Sequence, residues 1–211
     1  MMRIRACPVA MFWLPYCAMV PSGKPPAELL AWENARQTYN AVPRPQAIKG
    51  ILAGMAPFLA ERDEVPILAA GDFNSHSHLD WTAATGGWFG HEGRTVPWPV
   101  SIKMAEAGFR DVYRMLRPDP AVDYGGTVPV PGVGGMAAYP PMFLRLDYVY
   151  AAGSRLRPVS IEIISGNYHR PFTWQGRSFS AFPADHSALL AHFAVETRGG
   201  RLRRLPRGEA K

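Results

Sequence analysis

The segment Val65–Asn74, which reads Val-Pro-Ile-Leu-Ala-Ala-Gly-Asp-Phe-Asn, decides how the rest of the chain is interpreted. It opens with a short apolar run that stops at Gly71, and such a run is typical of a strand covered on both faces. Asp72 and Asn74 follow at the expected end of the strand. Because α/β folds display functional groups at strand ends, these two side chains are candidates for a site. Taken alone, they could equally be turn residues that hydrogen-bond to their own backbone.

Helical and strand-like patterns alternate around this run. Apolar residues from Ile48 to Leu59 recur at helical spacing, which predicts a helix that is kinked or ended at Pro57. A shorter helix is predicted between Ser101 as N-cap and Gly108 just past its end. Three later segments have strand patterns: Leu146–Tyr150, Pro158–Ile164 and Ala188–Val195. The order predicts an α/β fold.

The composition is that of one ordinary globular domain, with 211 residues of which 47% are hydrophobic and 19% charged. The net charge of +6 lies almost wholly in residues 198–211, where six basic residues and Glu209 give 6 − 1 = +5 and leave +1 for the rest. A general basic surface for nucleic acid is therefore not indicated. The basic tail is expected to be solvated and disordered, with a tether to phosphate backbones or anionic membranes as the alternative.

The N-terminus leaves the location of the protein open. Apolar residues from Ala6 to Val20 follow a charged start, as in a signal peptide, but Pro8 and Pro15 interrupt them. Cys7 and Cys17 form no Cys-x-x-Cys pair and do not identify a compartment. No later segment reaches the roughly 18 uninterrupted apolar residues that a transmembrane helix needs.

Three motifs lie at the edges of predicted strands, in a fixed order along the chain. They are Gly71–Asn74, then Arg145–Tyr150 (Arg-Leu-Asp-Tyr-Val-Tyr), then Asp185–Ser187 (Asp-His-Ser). In this combination the chain resembles the endonuclease/exonuclease/phosphatase superfamily, also called DNase I-like. The intervening segments Ser77–Trp81 and Ala107–Asp111 are similar to a bacterial and fungal branch of it. The resemblance covers roughly residues 40 to 196.

The resemblance implies hydrolysis of a phosphate ester by activated water, with Mg²⁺ or Mn²⁺ as cofactor. Such a reaction needs a generated nucleophile, neutralised phosphate charge and a stabilised leaving oxygen, and a hard ion held by carboxylates serves the last two needs. Asp185 and Asp72 would be the metal ligands, and Asp72 would also orient or deprotonate the water. Asn74 would hold a phosphate oxygen. His186 would contact the scissile phosphate, with Asp147 fixing its tautomer.

The resemblance does not choose between a phosphodiesterase, a phosphatase and a nuclease, so nucleic acid remains one substrate class among several. It covers the second half of a two-half domain, because the first half of a complete member supplies a metal-binding Glu and a phosphate-binding His. In the strand-like segment Val9–Leu14, Trp13 lies near the place of that His. Glu28 and Glu33 match no family position, and neither is assigned as the missing ligand.

The implied fold is the second half of a four-layer αββα sandwich, with a mixed or antiparallel sheet flanked by helices and the N-terminal half largely missing. The expected organisation is an irregular lead or remnant strand over residues 1–28, a partial domain over 29–197 and the basic tail over 198–211. A sheet without its partner sheet exposes apolar surface, so self-association is expected. An active enzyme, a truncated inactive fragment and a non-catalytic phosphate or nucleotide binder all remain open.

Other polar residues have weaker claims to a site. His76, His78 and Asp80 form a His-x-His-x-Asp string that could imitate a transition-metal site. Arg145 could bind a phosphate, although exposed basic residues are more often solvated. The tryptophans Trp81, Trp88, Trp98 and Trp174 are expected to anchor loops on the scaffold, with substrate stacking as the alternative.

Overall fold

The computed structural model describes residues 5–8, 23–35, 42–88, 91–128, 144–166, 169–196 and 202–204. These residues form a mixed α/β fold with two main sheets, one small hairpin and four α-helices. The predicted α/β class is therefore confirmed. No helix in the described ranges is long and apolar enough to cross a membrane.

The central sheet has four strands in the order β1-β2-β4-β3. Its members are β1 (Arg5–Pro8), β2 (Ile67–Asp72), β3 (Arg110–Asp111) and β4 (Asp147–Ala152). β1 runs parallel to β2, and β2 and β3 run antiparallel to β4. The register between β2 and β4 runs from Ile67 opposite Ala152 to Asp72 opposite Asp147. Two carboxylates thus face each other where β2 ends and β4 begins.

The second sheet follows the central one along the chain. It consists of β5 (Leu156–Ile164), β8 (Ala188–Glu196) and β9 (Leu202–Arg204), paired antiparallel in the order β5-β8-β9. Between β5 and β8, a hairpin is formed by β6 (Phe172–Trp174) and β7 (Arg177–Phe179). Its two-residue turn has positive φ at both Gln175 and Gly176, which is the backbone that a tight hairpin of this handedness requires.

Four helices accompany the sheets: α1 (Pro26–Ala35), α2 (Arg44–Ala60), α3 (Pro99–Glu106) and α4 (Val112–Leu116). The predicted helix is α2, and it continues past Pro57 to Ala60. Pro57 has no N–H to donate to the Ala53 carbonyl, so the helix lacks one backbone hydrogen bond there without ending. α3 does not begin at a Ser101 N-cap. It begins at Pro99, whose fixed φ suits the first helical position. Gly108 lies just past the end of α3 with φ +88°, as predicted.

The central sheet separates the apolar core into two parts, one on each face. Alternate residues of a strand point to opposite faces and so belong to different parts. On one side, Ile67, Ala69 and Tyr150 pack with apolar residues of α2 and α3. On the other side, Leu68, Val149 and Ala151 pack with apolar residues of α4, β5 and β8. Both faces of β2 and β4 are therefore covered within the described ranges, and self-association remains a prediction.

Two of the expected segment boundaries differ from the observed elements. α1 extends across the expected boundary after residue 28, because its first turn already includes Glu28. Within the basic tail, Leu202–Arg204 pairs with β8 as β9, so this part of the tail is an edge strand. The strand-like segment Val9–Leu14 lies outside the described residues, and the first described strand of the lead is β1.

Candidate metal and phosphate site

Three of the residues implied by the resemblance lie together. Asp72 ends β2, Asp147 begins β4 opposite it, and His186 lies in the loop just before β8. One carboxylate oxygen from each aspartate and one ring nitrogen of His186 all lie within 4.8 Å of one another. Within the described part of the chain, no other group of at least three His, Cys, Asp or Glu residues comes this close. Residues more than a hundred positions apart thus form one cluster.

The expected contact between Asp147 and His186 is present. Nδ1 of His186 lies 2.9 Å from Oδ2 of Asp147, and the two side chains are 14% and 17% exposed. Because an ionised carboxylate only accepts hydrogen bonds, Nδ1 is the protonated ring nitrogen. The pairing therefore fixes the ring tautomer and its orientation, with Nε2 as the nitrogen that can act on a ligand.

Asp72 and Asn74 form a local hydrogen-bonded turn. The Asn74 backbone N–H donates to Asp72 Oδ1 at 2.7 Å, and its side-chain amide donates to Oδ2 of the same carboxylate. Asn74 has φ +48°, a left-handed conformation that asparagine tolerates better than most residues. One amide proton of Asn74 is therefore already used on Asp72. Asp72 can be both a turn residue and a site residue, because the turn fixes the direction in which its carboxylate points.

The electrostatics of the cluster disfavour two negative charges side by side. Burial, followed by the charge of Asp147, raises the pKa of Asp72 to about 6, while the hydrogen bond from Asn74 and the charges of His186 and Arg44 oppose the rise. Two carboxylates meeting in a partly buried place repel each other, and a divalent ion offsets both the repulsion and the cost of burial. The two carboxylates fit Mg²⁺ or Mn²⁺, which accept oxygen ligands and retain several waters.

Asp185 is adjacent to His186 in the chain but is not a member of the cluster. Asp185 and His186 both lie in a bend before β8. Its assignment as a metal ligand remains a prediction.

Arg44 affects the electrostatics of the site, although the sequence did not indicate it as a site residue. It is 1% exposed at the start of α2, and its Nη1 lies 3.5 Å from Oε2 of the buried Glu33 in α1. Its charge lowers the pKa of Asp72. Glu33 faces Arg44 in a buried pair, which agrees with leaving it unassigned as a metal ligand. Glu28 forms an exposed pair with Lys24 at 2.9 Å.

Arg145 is buried in a network of ion pairs and does not present its charge as an exposed phosphate ligand would. Its Nε and Nη2 lie 2.8 and 3.0 Å from the Asp80 carboxylate, and Nη2 lies 2.7 Å from Asp111. Arg114 adds a third contact, with Nε 2.6 Å from Asp80. All four side chains are at most 5% exposed. The network fixes the segment before β4 and thereby helps to place Asp147.

Among the residues that the structure describes, the His-x-His-x-Asp string forms no metal cluster. The His76 ring lies between Trp81 and Trp98, with ring centroids 5.3 and 4.8 Å away. His78 Nδ1 lies 2.8 Å from Ser101 Oγ, and Asp80 belongs to the ion-pair network. Trp81 and Trp98 are 1% and 0% exposed, so their predicted role as loop anchors is confirmed.

No family model matches the chain. The chain is similar to the uncharacterized protein F14F9.5 of Caenorhabditis elegans, with 30% identity over 146 residues. The matched region is 66% of this chain and 44% of that protein, so the chain spans less than half of the relative's length.

Proposed function

We propose that the chain carries the second half of an endonuclease/exonuclease/phosphatase-type domain and takes part in metal-dependent hydrolysis of a phosphate ester. The observation that carries the proposal is the cluster of Asp72, Asp147 and His186, whose ligand atoms lie within 4.8 Å. Each residue comes from a different motif of the resemblance. The proposed fold is half of a four-layer αββα sandwich, supported by the order of layers from α2 and α3, through the central sheet, to β5 and β8.

The roles follow from the contacts. Asp72, whose carboxylate is held in place by the backbone and side-chain N–H groups of Asn74, orients the attacking water. His186, held by Asp147 through Nδ1, directs Nε2 toward a phosphate oxygen or the leaving group. Asn74 has one further amide proton for a phosphate oxygen beyond the one used on Asp72. The carboxylates of Asp72 and Asp147 would hold Mg²⁺ or Mn²⁺, which would neutralise phosphate charge.

Low turnover is expected from this chain alone. The resemblance calls for a Glu and a His from the first half, and in the residues described here the cluster contains only Asp72, Asp147 and His186 as candidate ligands. Catalytic groups that act as a unit lose activity together, so missing members reduce the rate steeply. The alternatives are a truncated, inactive fragment and a non-catalytic binder of phosphate or nucleotides through Asn74 and His186.

The test is an assay of purified residues 1–211 with bis(p-nitrophenyl) phosphate, p-nitrophenyl phosphate and plasmid DNA in Mg²⁺ and Mn²⁺. Measurable metal-dependent turnover should fall by about 100-fold or more in Asp147→Asn, because His186 loses its orienting partner. The exposed Glu162→Gln is the matched control, since it also replaces one carboxylate by an amide. Asp185→Ala tests the remaining ligand assignment.

Equal turnover in wild type and Asp147→Asn would indicate a contaminant and contradict the proposal. Absence of turnover together with binding of inorganic phosphate, lost in Asn74→Ala, would favour the non-catalytic binder. Absence of both turnover and phosphate binding would favour the inactive fragment.

A further inference from the structure

A cavity of about 390 Å³ lies between α3, α4 and the β3 edge of the central sheet. This volume falls in the range of about 300–1,000 Å³ that small-molecule sites occupy. None of Asp72, Asp147 and His186 lines it, so it is separate from the candidate metal site. Its walls are mainly apolar, with contributions from Leu79, Ala105, Phe109, Met115 and Pro118.

Two of the three charged residues in its wall, Asp111 and Arg114, are neutralised by the protein. Asp111 accepts hydrogen bonds from the backbone N–H groups of Tyr113 and Arg114 and pairs with Arg145. Arg114 donates to Asp80 and to three backbone carbonyls. Buried charges satisfied in this way offer little to a charged ligand. The third charged residue, Arg110, is exposed, and its Nη2 donates to the backbone carbonyls of Gly153 and Leu156 at 3.0 and 3.3 Å. The buried part of the wall therefore favours an uncharged guest.

Two buried hydroxyl groups in the wall keep unused hydrogen-bonding capacity. Tyr150 is 3% exposed, and its hydroxyl has no hydrogen-bond partner among the described residues. Ser77 is 1% exposed, and its Oγ accepts from the Leu79 backbone but donates to no acceptor in the same ranges. Within the described residues, Tyr150 Oη is not one of the fully buried polar atoms that lack a partner, so it is open to the cavity, and a guest there can bond to it.

The tautomer of His78 adds an acceptor. Ser101 Oγ lies 3.0 Å from the Trp98 carbonyl, which can only accept, so the hydroxyl proton points there. Oγ must then accept from both the backbone N–H and Nδ1 of His78, at 2.9 and 2.8 Å. Burial lowers the pKa of His78, so the ring is neutral at neutral pH. Nε2 is thus an unprotonated acceptor in the wall of the cavity.

The apolar rim of the cavity is open to solvent. Leu79 and Met115 are 38% and 39% exposed, and they are two of the six large hydrophobic side chains most exposed among the described residues. A monomer gains nothing by placing such side chains together at the mouth of a cavity, whereas a guest with an apolar body would cover them.

We propose that this cavity binds a small, uncharged aromatic molecule that carries a hydroxyl or N–H group. The aromatic body contacts Phe109, Leu79 and Met115. The polar hydrogen donates to His78 Nε2, and the heteroatom accepts from Tyr150 or Ser77. The site does not depend on the proposed hydrolysis, because it shares no residue with the cluster of Asp72, Asp147 and His186.

Phenol, toluene and benzoate share an aromatic ring and differ in their polar group. Toluene tests the need for a hydroxyl or N–H group, and benzoate tests the preference for an uncharged guest. At several times its Kd, phenol should raise the Tm by about 2–4 °C, because a ligand of the folded state stabilises it by mass action. Toluene and benzoate should raise it less. In long-range ¹H–¹⁵N spectra, phenol should shift the resonance of unprotonated Nε2 of His78. An equal or larger effect of toluene or benzoate would overturn the assignment.

Two variants make the test specific. Tyr150→Phe removes a hydroxyl that has no partner, so the free protein should keep its Tm while the phenol effect falls. Ala105→Trp fills the cavity from an exposed position of α3 and should abolish the effect, whereas Ala60→Trp, an exposed alanine of α2 outside the cavity, should preserve it. A phenol effect unchanged in both Tyr150→Phe and Ala105→Trp would place the binding elsewhere and overturn the proposal.

Discussion

Asp72 is expected to reduce the stability of the metal-free protein at neutral pH. Its pKa is raised from 3.8 to about 6, chiefly by burial, so the folded state holds the proton more tightly than the unfolded chain does. Between pH 4 and pH 6 the folded state binds more protons than the unfolded chain, so the free energy of unfolding falls as pH rises. Above about pH 6 the full cost of the buried charge is present.

Asp72→Asn should therefore raise the Tm at pH 7 in EDTA by a few degrees, at about 2–4 °C for each kcal/mol in a chain of this size. The gain should shrink toward pH 4, where the wild-type carboxyl is already neutral. Scanning calorimetry at both pH values measures the effect, with Glu162→Gln as the exposed control. A lower Tm of Asp72→Asn at pH 7 would contradict the assigned cause.

The wild-type pH profile alone will not reveal this effect, because His91 opposes it. Burial lowers the pKa of His91 to about 4, so the unfolded chain binds its proton more tightly between pH 4 and pH 6.5. Stability from His91 therefore rises with pH over the range in which stability from Asp72 falls. The comparison between wild type and variant at each pH isolates Asp72.

Asp80 is expected to be the most sensitive carboxylate in the described ranges. It contacts both Arg114 and Arg145. Its removal leaves the buried Arg145 with Asp111 as its remaining carboxylate and leaves the buried Arg114 guanidinium with backbone carbonyls only. Breaking a buried ion pair in this way costs about 3–5 kcal/mol. Urea unfolding should show a loss of this size for Asp80→Asn and almost no change for Glu162→Gln. A loss below about 1 kcal/mol, the range of exposed pairs, would mean that the network is solvated.

At the scale of elements, replacement of glycine by alanine should have opposite effects on stability at two positions. Gly153, in the turn after β4, has φ +109°, and an added Cβ would lie 2.2 Å from the Arg62 carbonyl oxygen. Gly54 lies within α2, and an added Cβ there meets nothing within 4 Å. Gly153→Ala should be strongly destabilising because both backbone strain and a backbone clash arise. Gly54→Ala should stabilise by up to about 1 kcal/mol through helix propensity.

The two free energies of unfolding, measured side by side in urea, check this pair. The result depends on the placement of the β4–β5 turn against the segment after α2. If Gly153→Ala were neutral, that turn would have to lie away from Arg62. If Gly54→Ala were destabilising, the space around this position of α2 would have to be occupied and not open.

The elements that could be predicted are those whose periodicity is set by burial. α2, β2, β4, β5 and β8 each carry an apolar pattern, and each was found within a few residues of its predicted bounds. The β6–β7 hairpin was not predicted, because its strands have only three residues each and its turn contains Gln175 and Gly176, a weaker signal than Asn-Gly. The start of α3 was misplaced because proline and serine at its beginning are both acceptable first-turn residues.

At the scale of the whole molecule, the order of the motifs along the chain predicted that the site residues would lie together. It did not predict which charged side chains are buried. Asp72, Asp147 and His186 each lie at a strand edge, and the register of β2 with β4 is sufficient to bring two of them together. The burial of Arg145 with Asp80 and Asp111 could not be predicted, because a lone charged residue gives no periodic signal of its tertiary partner. The same holds for Arg44, whose effect on Asp72 depends on packing between α1 and α2.

Metal binding should stabilise the whole molecule if the cluster is a metal site. Asp72, Asp147 and His186 come from three separate segments, so an ion held among them is lost when the chain unfolds, and Mg²⁺ or Mn²⁺ stabilises only the folded state. The expected gain is about 2.7 kcal/mol at a hundred times Kd, which raises the Tm by several degrees and disappears in EDTA. Asp147→Asn should remove most of the rise, and Glu162→Gln should leave it intact.

The pH dependence of the metal effect distinguishes this cluster from a general surface effect. The proton that binds Asp72 with a pKa of about 6 competes with the ion, so the metal-induced rise in Tm should be larger at pH 7.5 than at pH 5. In Asp72→Asn this difference should vanish along with most of the rise, since the competing carboxyl is gone. Isolated surface carboxylates titrate near pH 4 and would give almost the same metal effect at both pH values. A rise in Tm that is equal at pH 5 and pH 7.5, or that is unchanged in Asp72→Asn and Asp147→Asn, would place the ion outside the cluster. Asp185→Ala, measured in the same series, then decides whether the residue next to His186 joins the ligand set.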